Sequence, residues 1–201
     1  MTSEEGKVGD QLEAWLRGPG TKTLGSLIEM FGEKSFAVVF LLLLALPALP
    51  LPTGGATHVF ELIAMLLALE LIVGRRTIWL PGRLRRRDLS GLARGKLADR
   101  LLRVVRRLER FSRPRAARLV DSRVAAVVFG VVVLGLSLTA FFAPPFSGLD
   151  TLPALGVVVL SLGFLFEDAV LTLAGTVIGA LGVVAVIGLG TLVTRWVKHL
   201  F

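Results

Sequence analysis

The chain has 201 residues, no cysteine, 54% apolar residues and a formal charge of +8. That length fits one structural unit, and the missing thiols exclude disulfides, cysteine nucleophiles and cysteine-ligated metals. Most of the 23 Lys and Arg crowd between Arg75 and Arg123, flanked on both sides by apolar runs, a pattern that points to anionic membrane lipids as partners and excludes nucleic acid.

Residues 1–34 form an acidic leader with Glu4, Glu5, Asp10, Glu13, Glu29 and Glu33. This differs from the short basic start of a cleavable signal, so the leader is expected to stay attached on the cytoplasmic side. Leu12, Trp15 and Leu16 form one side of a short helix that Gly18-Pro19-Gly20 ends. Leu24, Leu27, Ile28 and Phe31 then recur at helical spacing behind Thr23, a ready N-cap. Such elements suit either the membrane interface or a packed cytosolic layer.

Phe36 to Leu46 is an uninterrupted apolar stretch, expected as a lipid-facing helix. Its eleven residues cover roughly 17 Å, short of the roughly 30 Å hydrocarbon core. Pro47, Pro50 and Pro52, followed by Gly54-Gly55, break the helix, and the chain resumes from Val59 to Val73 with Glu61 and Glu70. Residues 36–73 thus read as a first broken hairpin, made either of two thin spans or of a re-entrant pair. Both readings return Gly74 to the side that Phe36 left.

The basic linker, 75–123, is then cytoplasmic by the positive-inside rule. Trp79 reads as an interfacial anchor before the Leu80-Pro81-Gly82 turn, and Arg85, Arg86 and Arg87 continue along the phosphate layer. Leu92 to Phe111 predicts an amphipathic helix whose stripe is Leu97, Leu101, Val104, Leu108 and Phe111. Arg103, Arg106 and Arg107 on its other sides are expected at lipid headgroups, or else the helix lies on the bundle's own cytoplasmic face. Pro114 separates this helix from the second apolar region.

Residues 124–167 repeat the plan as a second broken hairpin. Val124 to Phe142 is long enough to span, Pro144-Pro145 with Gly148 breaks the chain, and a helix from Leu152 or Pro153 runs to Glu167-Asp168. Phe36-Ala37-Val38-Val39-Phe40 is similar to Ala125-Ala126-Val127-Val128-Phe129, the mark of a weak internal repeat. Residues 169–194 form a final spanning helix, where Gly175 and Gly179 allow close packing, within one subunit or across a homodimer. The fold class is therefore an all-α polytopic membrane protein with two broken hairpins, a last span and a basic amphipathic cytoplasmic helix. That count sends Arg195 and Lys198 outside, against the positive-inside rule.

Acids inside apolar segments are the candidate polar site: Glu61, Glu70, Asp150, Glu167 and Asp168. Glu61 and Glu70, nine residues apart, fall on opposite faces of a helix. Glu61 and Glu167 are expected to face one cavity between the breaks, Glu70 to pair at the interface, and Asp150 to cap the next helix. Glu167-Asp168 equally suits a cytoplasmic turn. His58 and His199 are the only histidines, and neither a zinc-protease helix, a dinucleotide fingerprint nor a phosphate loop occurs. No catalytic, cofactor or metal residues are expected, and the chain reads as a non-enzyme.

Phe31-Gly32-Glu33-Lys34, Leu46-Pro47-Ala48-Leu49-Pro50-Leu51-Pro52, Gly74-Arg75-Arg76, Trp79-Leu80-Pro81, Arg85-Arg86-Arg87, Phe146, Leu152-Pro153-Ala154-Leu155 and Glu167-Asp168 together resemble the ExoD family of bacterial integral membrane proteins. The resemblance runs from about residue 25 to about residue 190, departing from the family pattern at Glu70 and Ala169. It implies a bacterial inner-membrane location and a link to exopolysaccharide synthesis, and supplies no catalytic residues. The expected function is a small transporter or transport accessory handling an anion, lipid or polysaccharide precursor; the alternative is a non-transporting scaffold or regulator among polysaccharide-synthesis membrane proteins.

Overall fold

The computed structural model describes residues 7–50, 57–75, 77–79, 81–93, 96–112, 122–144 and 147–200. The centre of the first break, Arg76, Leu80, Arg94, residues 113–121 with Pro114, and Pro145-Phe146 lie outside the described residues. The described chain is helical, with one isolated bridge between Thr23 and Asp88. Two helices are long and apolar enough to cross a membrane, Arg123–Phe141 and Ala169–Thr191.

At the N-terminal end, α1 (Val8–Arg17) and α2 (Leu24–Phe31) form a polar layer with the linker. Thr23 caps α2, accepting from the Ser26 N–H at 3.2 Å while the Ser26 hydroxyl accepts from the Thr23 N–H at 3.1 Å. The linker contributes α5 (Gly82–Arg85), α6 (Ser90–Ala93) and α7 (Lys96–Phe111). On α7 Ala98 and Leu102 are buried, the only two so among its described side chains, and they meet Leu16, Leu12 and Trp15 of α1. The apolar side of α1 is therefore covered by protein. The side chains of Leu97, Leu101, Val104, Leu108 and Phe111 lie outside the described residues.

A short 3-10 turn, Gly32–Lys34, leads into α3 (Ser35–Leu44), where the structure corrects the expectation of a lipid-facing helix. Ser35 through Phe40 are all buried, and so is Leu44. A ten-residue helix reaches only about 15 Å, and its first two turns are covered on every side, while Leu42 near its end stays 47% exposed. That cover comes from α2, α4 (Thr57–Ile72) and α9 (Thr151–Leu165). Phe36, Phe40, Phe129 and Phe164 form a continuous aromatic file through this core, with centroid separations of 6.3, 5.8 and 4.4 Å.

The helices pair crosswise. α4 packs mainly on α8 (Arg123–Phe141), whereas α3 packs on α9. Phe40 of α3 meets Phe129 of α8 edge to face. α10 (Ala169–Leu200), at about 48 Å, continues past the predicted end at residue 194 and lies along α9. Glycines make this approach close: a Cβ added at Gly156 would sit 2.5 Å from the Gly179 Cα, and one at Gly175 would overlap the Leu160 backbone. Gly175 and Gly179 thus pack within the chain, against α9 and Leu136 of α8.

Replacing Gly156 with Ala should force α9 and α10 apart and cost about 1–3 kcal/mol. Gly188→Ala, where nothing lies within 4 Å of the added carbon, should leave stability unchanged or slightly raised. Thermal unfolding of the two purified variants in one detergent checks the contrast in sign.

Candidate functional site

The polar groups buried among these helices gather at two opposite ends. At the end formed by the breaks, the N-termini of α4 and α9 meet. Thr57, the first residue of α4, is 2% exposed and donates through Oγ1 to Asp150 Oδ2 at 3.3 Å. Asp150 precedes α9 yet makes no side-chain cap there, so the expected capping role gives way to a bond with the other half. One turn into α4, Glu61 is 0% exposed. Its Oε2 lies 2.8 Å from His58 Nδ1, while Oε1 is buried with no hydrogen-bond partner among the described residues. His58 is about a quarter exposed and its ring lies tilted against Phe141, with centroids 5.4 Å apart. His58 and Asp150 are the ionisable groups whose charges act on Glu61.

At the other end, Glu167 and Asp168 occupy the turn between α9 and α10. The Asp168 N–H donates to Gly163 O at 2.8 Å and the Glu167 N–H to Phe164 O at 3.3 Å, the paired bonds that close a helix C-terminus. Glu167 holds φ +55°, where glycine is the ordinary occupant. Its carboxylate accepts from Lys34 Nζ at 2.6 Å, tying the start of α3 to the end of α9. Asp168, 5% exposed, caps α10 by accepting from the Val170 N–H at 2.8 Å, and its other oxygen accepts from Ser112 at 3.1 Å. The acidic pair is therefore a turn that fastens the leader and linker to the bundle.

Glu61 and Glu167 consequently do not share a cavity. They sit at opposite ends of the bundle, because α9 runs its whole 15 residues, about 22 Å, between Asp150 and Glu167. Glu70 accepts from the Trp79 N–H at 3.0 Å, closing the turn after α4 where the sequence suggested an ion pair. Arg85 pairs with Glu29, and Arg106 pairs with Glu13 and lies 3.7 Å from Asp10. A cleft of about 400 Å³ between α2 and Thr77-Ile78 has this Glu29–Arg85 pair on its wall, where the two charges meet each other. Trp79, Arg86, Arg87, Arg103 and Arg107 are exposed.

Sequence reasoning missed Lys34 and Thr57. Lys34 stands two residues before Phe36, as Arg123 stands two before Ala125, and Arg123 covers Gly74 in the turn after α4. That matched spacing was the available signal.

The family profile described as "Exopolysaccharide synthesis, ExoD" matches residues 9–188. An uncharacterised protein of Synechocystis is 29% identical over 165 residues, covering 82% of this chain and 76% of its own length. Protein ExoD of Rhizobium meliloti is 28% identical over 166 residues, covering 81% of this chain and 67% of its own. No solved structure matches the chain.

At position 167, glycine should be tolerated better than alanine by about 1 kcal/mol, because both lose Lys34 but only glycine relaxes the left-handed backbone. Equal stability of Glu167→Gly and Glu167→Ala in thermal unfolding would refute that assignment of strain.

Proposed function

The chain belongs to the ExoD family, and from that membership we propose a membrane-embedded accessory role in exopolysaccharide synthesis, as a non-transporting scaffold or regulator of a synthesis complex. The observation that carries this reading is the basic face of the linker. α7 is docked on α1 through Ala98, Leu102 and the Arg106–Glu13 pair, while Arg103 and Arg107 remain exposed on a helix already held in place. A preordered surface of this kind loses little entropy on meeting an acidic protein partner or anionic headgroups.

The architecture belonging to this reading is polytopic, in a bacterial inner membrane. α3 with α4 and α8 with α9 are two hairpins that enter from the cytoplasmic side, where the linker stays. The first of them is re-entrant, since α3 is too short to span. The hairpins are an internal repeat about a two-fold axis running along the helices. Lys34 and Arg123 are equivalent, each lying against the left-handed residue, Glu167 or Gly74, that ends a helix of the other half. Cations there also meet the negative ends of the helix dipoles. Phe40 and Phe129, equivalent in the matched stretches, meet at 5.8 Å, as residues near such an axis must.

A second reading, transport of an anion, lipid or polysaccharide precursor, is favoured by one observation. Glu61 places an unpartnered carboxylate oxygen at the junction of the two halves, where transporters built from repeats hold their ligands.

Reversing two exposed charges, Arg103→Glu with Arg107→Glu, should weaken co-purification with polysaccharide-synthesis membrane proteins by roughly tenfold or more, about 1.4 kcal/mol, and leave folding intact. Intact assembly combined with lost solute flux would instead favour transport.

A further inference from the structure

The junction of α4 and α9 has a composition that neither the accessory role nor the fold requires. Two helices of 16 and 15 residues bring their N-termini together there, and two carboxylates and a hydroxyl occupy the gap. Helix N-termini alone would favour anions and would be served by Asp150. Glu61 adds a second acidic group, fully buried, with one oxygen held by His58 and the other meeting no donor among the described residues. Four described side-chain atoms are buried without a partner, the hydroxyls of Ser35, Ser137 and Ser161 and Glu61 Oε1. A buried acceptor left unmade costs about 1–3 kcal/mol, more when charged, so Glu61, the one carboxylate of the four, is the group that an occupant supplying positive charge would relieve most.

The oxygens available are hard ones. Thr57 and Glu61 stand one turn apart on the same face of α4, and Asp150 comes from the other half, bonded to Thr57 and within electrostatic reach of Glu61. Carboxylate and hydroxyl oxygens select protons and alkali ions over soft metals. Among the described residues no three His, Cys, Asp or Glu side chains converge to hold a metal ion, which leaves this group too sparse for a divalent cation. His58 completes the arrangement: it holds Oε2 of Glu61, leaving the buried Oε1 available, and its ring is partly exposed.

We propose that Glu61 Oε1, Thr57 Oγ1 and the Asp150 carboxylate form a binding site for one monovalent cation, a proton or an alkali ion, at the seam between the two halves. The proposal deepens the transport reading and rests on it. The ionisable groups whose charges act on Glu61 are His58, bonded to it on its own helix, and Asp150 of the other half, bonded to Thr57 one turn before it.

The test is reaction of the full-length protein, in vesicles of phosphatidylethanolamine and phosphatidylglycerol, with dicyclohexylcarbodiimide. This reagent adds a carboxylic acid across one C=N bond: the acid oxygen bonds to carbon, its proton moves to nitrogen, and nothing leaves. The adduct is mapped by peptide mass, with choline chloride replacing NaCl at constant ionic strength. An adduct on Glu61 that falls about tenfold when NaCl reaches ten times its dissociation constant identifies an alkali ion, and Asp150→Asn should abolish that protection. An adduct indifferent to NaCl identifies a proton. Absence of any adduct on Glu61 overturns the site, as does NaCl protection that persists in both Asp150→Asn and Thr57→Val. The wild-type adduct is read directly, so the result does not depend on Glu61→Gln folding. Solute flux measured in the same vesicles separates the two levels: an adduct without flux removes the transport reading and keeps the site, and flux without an adduct does the reverse.

Discussion

A ten-residue helix that is apolar on every side cannot cross a bilayer alone and cannot face water, and in this chain protein encloses its first two turns, Ser35 to Phe40, and Leu44, leaving Leu42 exposed. α3 is that helix, and the rest of the architecture is set by covering it. α2 closes one end, α4 and α9 lie against its sides, and Phe40 reaches α8. α4 thereby leaves its opposite side outward, and so does α10, which packs on α9. Val59, Leu62, Leu66 and Leu69 on α4, and Leu173, Val177, Leu181 and Val184 on α10, are all substantially exposed. These stripes suit acyl chains, which solvate leucine as well as a neighbouring helix does.

The same crosswise packing explains where charge is tolerated. Long basic side chains stand at the starts of α3 and α8, beside the closing turns of α9 and α4, and each meets a carboxylate or a helix C-terminus. At the far end no basic residue balances Glu61 and Asp150 among the groups that act on Glu61; a single histidine does part of that work. The molecule is thus asymmetric along its axis, with satisfied ion pairs where the linker sits and an unsatisfied acid where the breaks sit. In the layer that leader and linker form together, acidic residues of the leader take up part of the linker charge, Glu29 with Arg85 and Glu13 with Arg106.

Much of the element layout was legible in the sequence because prolines, glycines and caps act locally. Thr23, Gly74, Pro144 and the Glu167-Asp168 turn mark helix ends within a residue or two of where they occur. Which apolar surface meets protein and which meets lipid was not legible, since Phe36 to Leu44 is apolar throughout and, apart from Glu61 and Glu70, so is Val59 to Val73, with no periodic polar face in either to mark the outer side. The candidate site was half legible. Glu61 stood out as a charge in an apolar run, but its companions Thr57 and Asp150 depend on the crossing of α4 and α9, which spacing along one chain does not encode. Glu167 failed as a partner of Glu61 for the same reason: an acid after an apolar helix looks alike whether the helix end is inside the bundle or at its rim.

The burial of α3 within a membrane-inserted bundle is the claim on which the remaining assignments stand. It is tested most directly by an apolar photoactivated carbene reagent dissolved in the bilayer, with adducts mapped residue by residue on the full-length protein. The account predicts adducts along Val59, Leu62, Leu66 and Leu69 and along Leu173 to Val184, and none from Phe36 to Phe40. Adducts on Phe36 and Phe40 as abundant as those on Leu62 and Leu66 would contradict it, as would the absence of adducts from all of these helices.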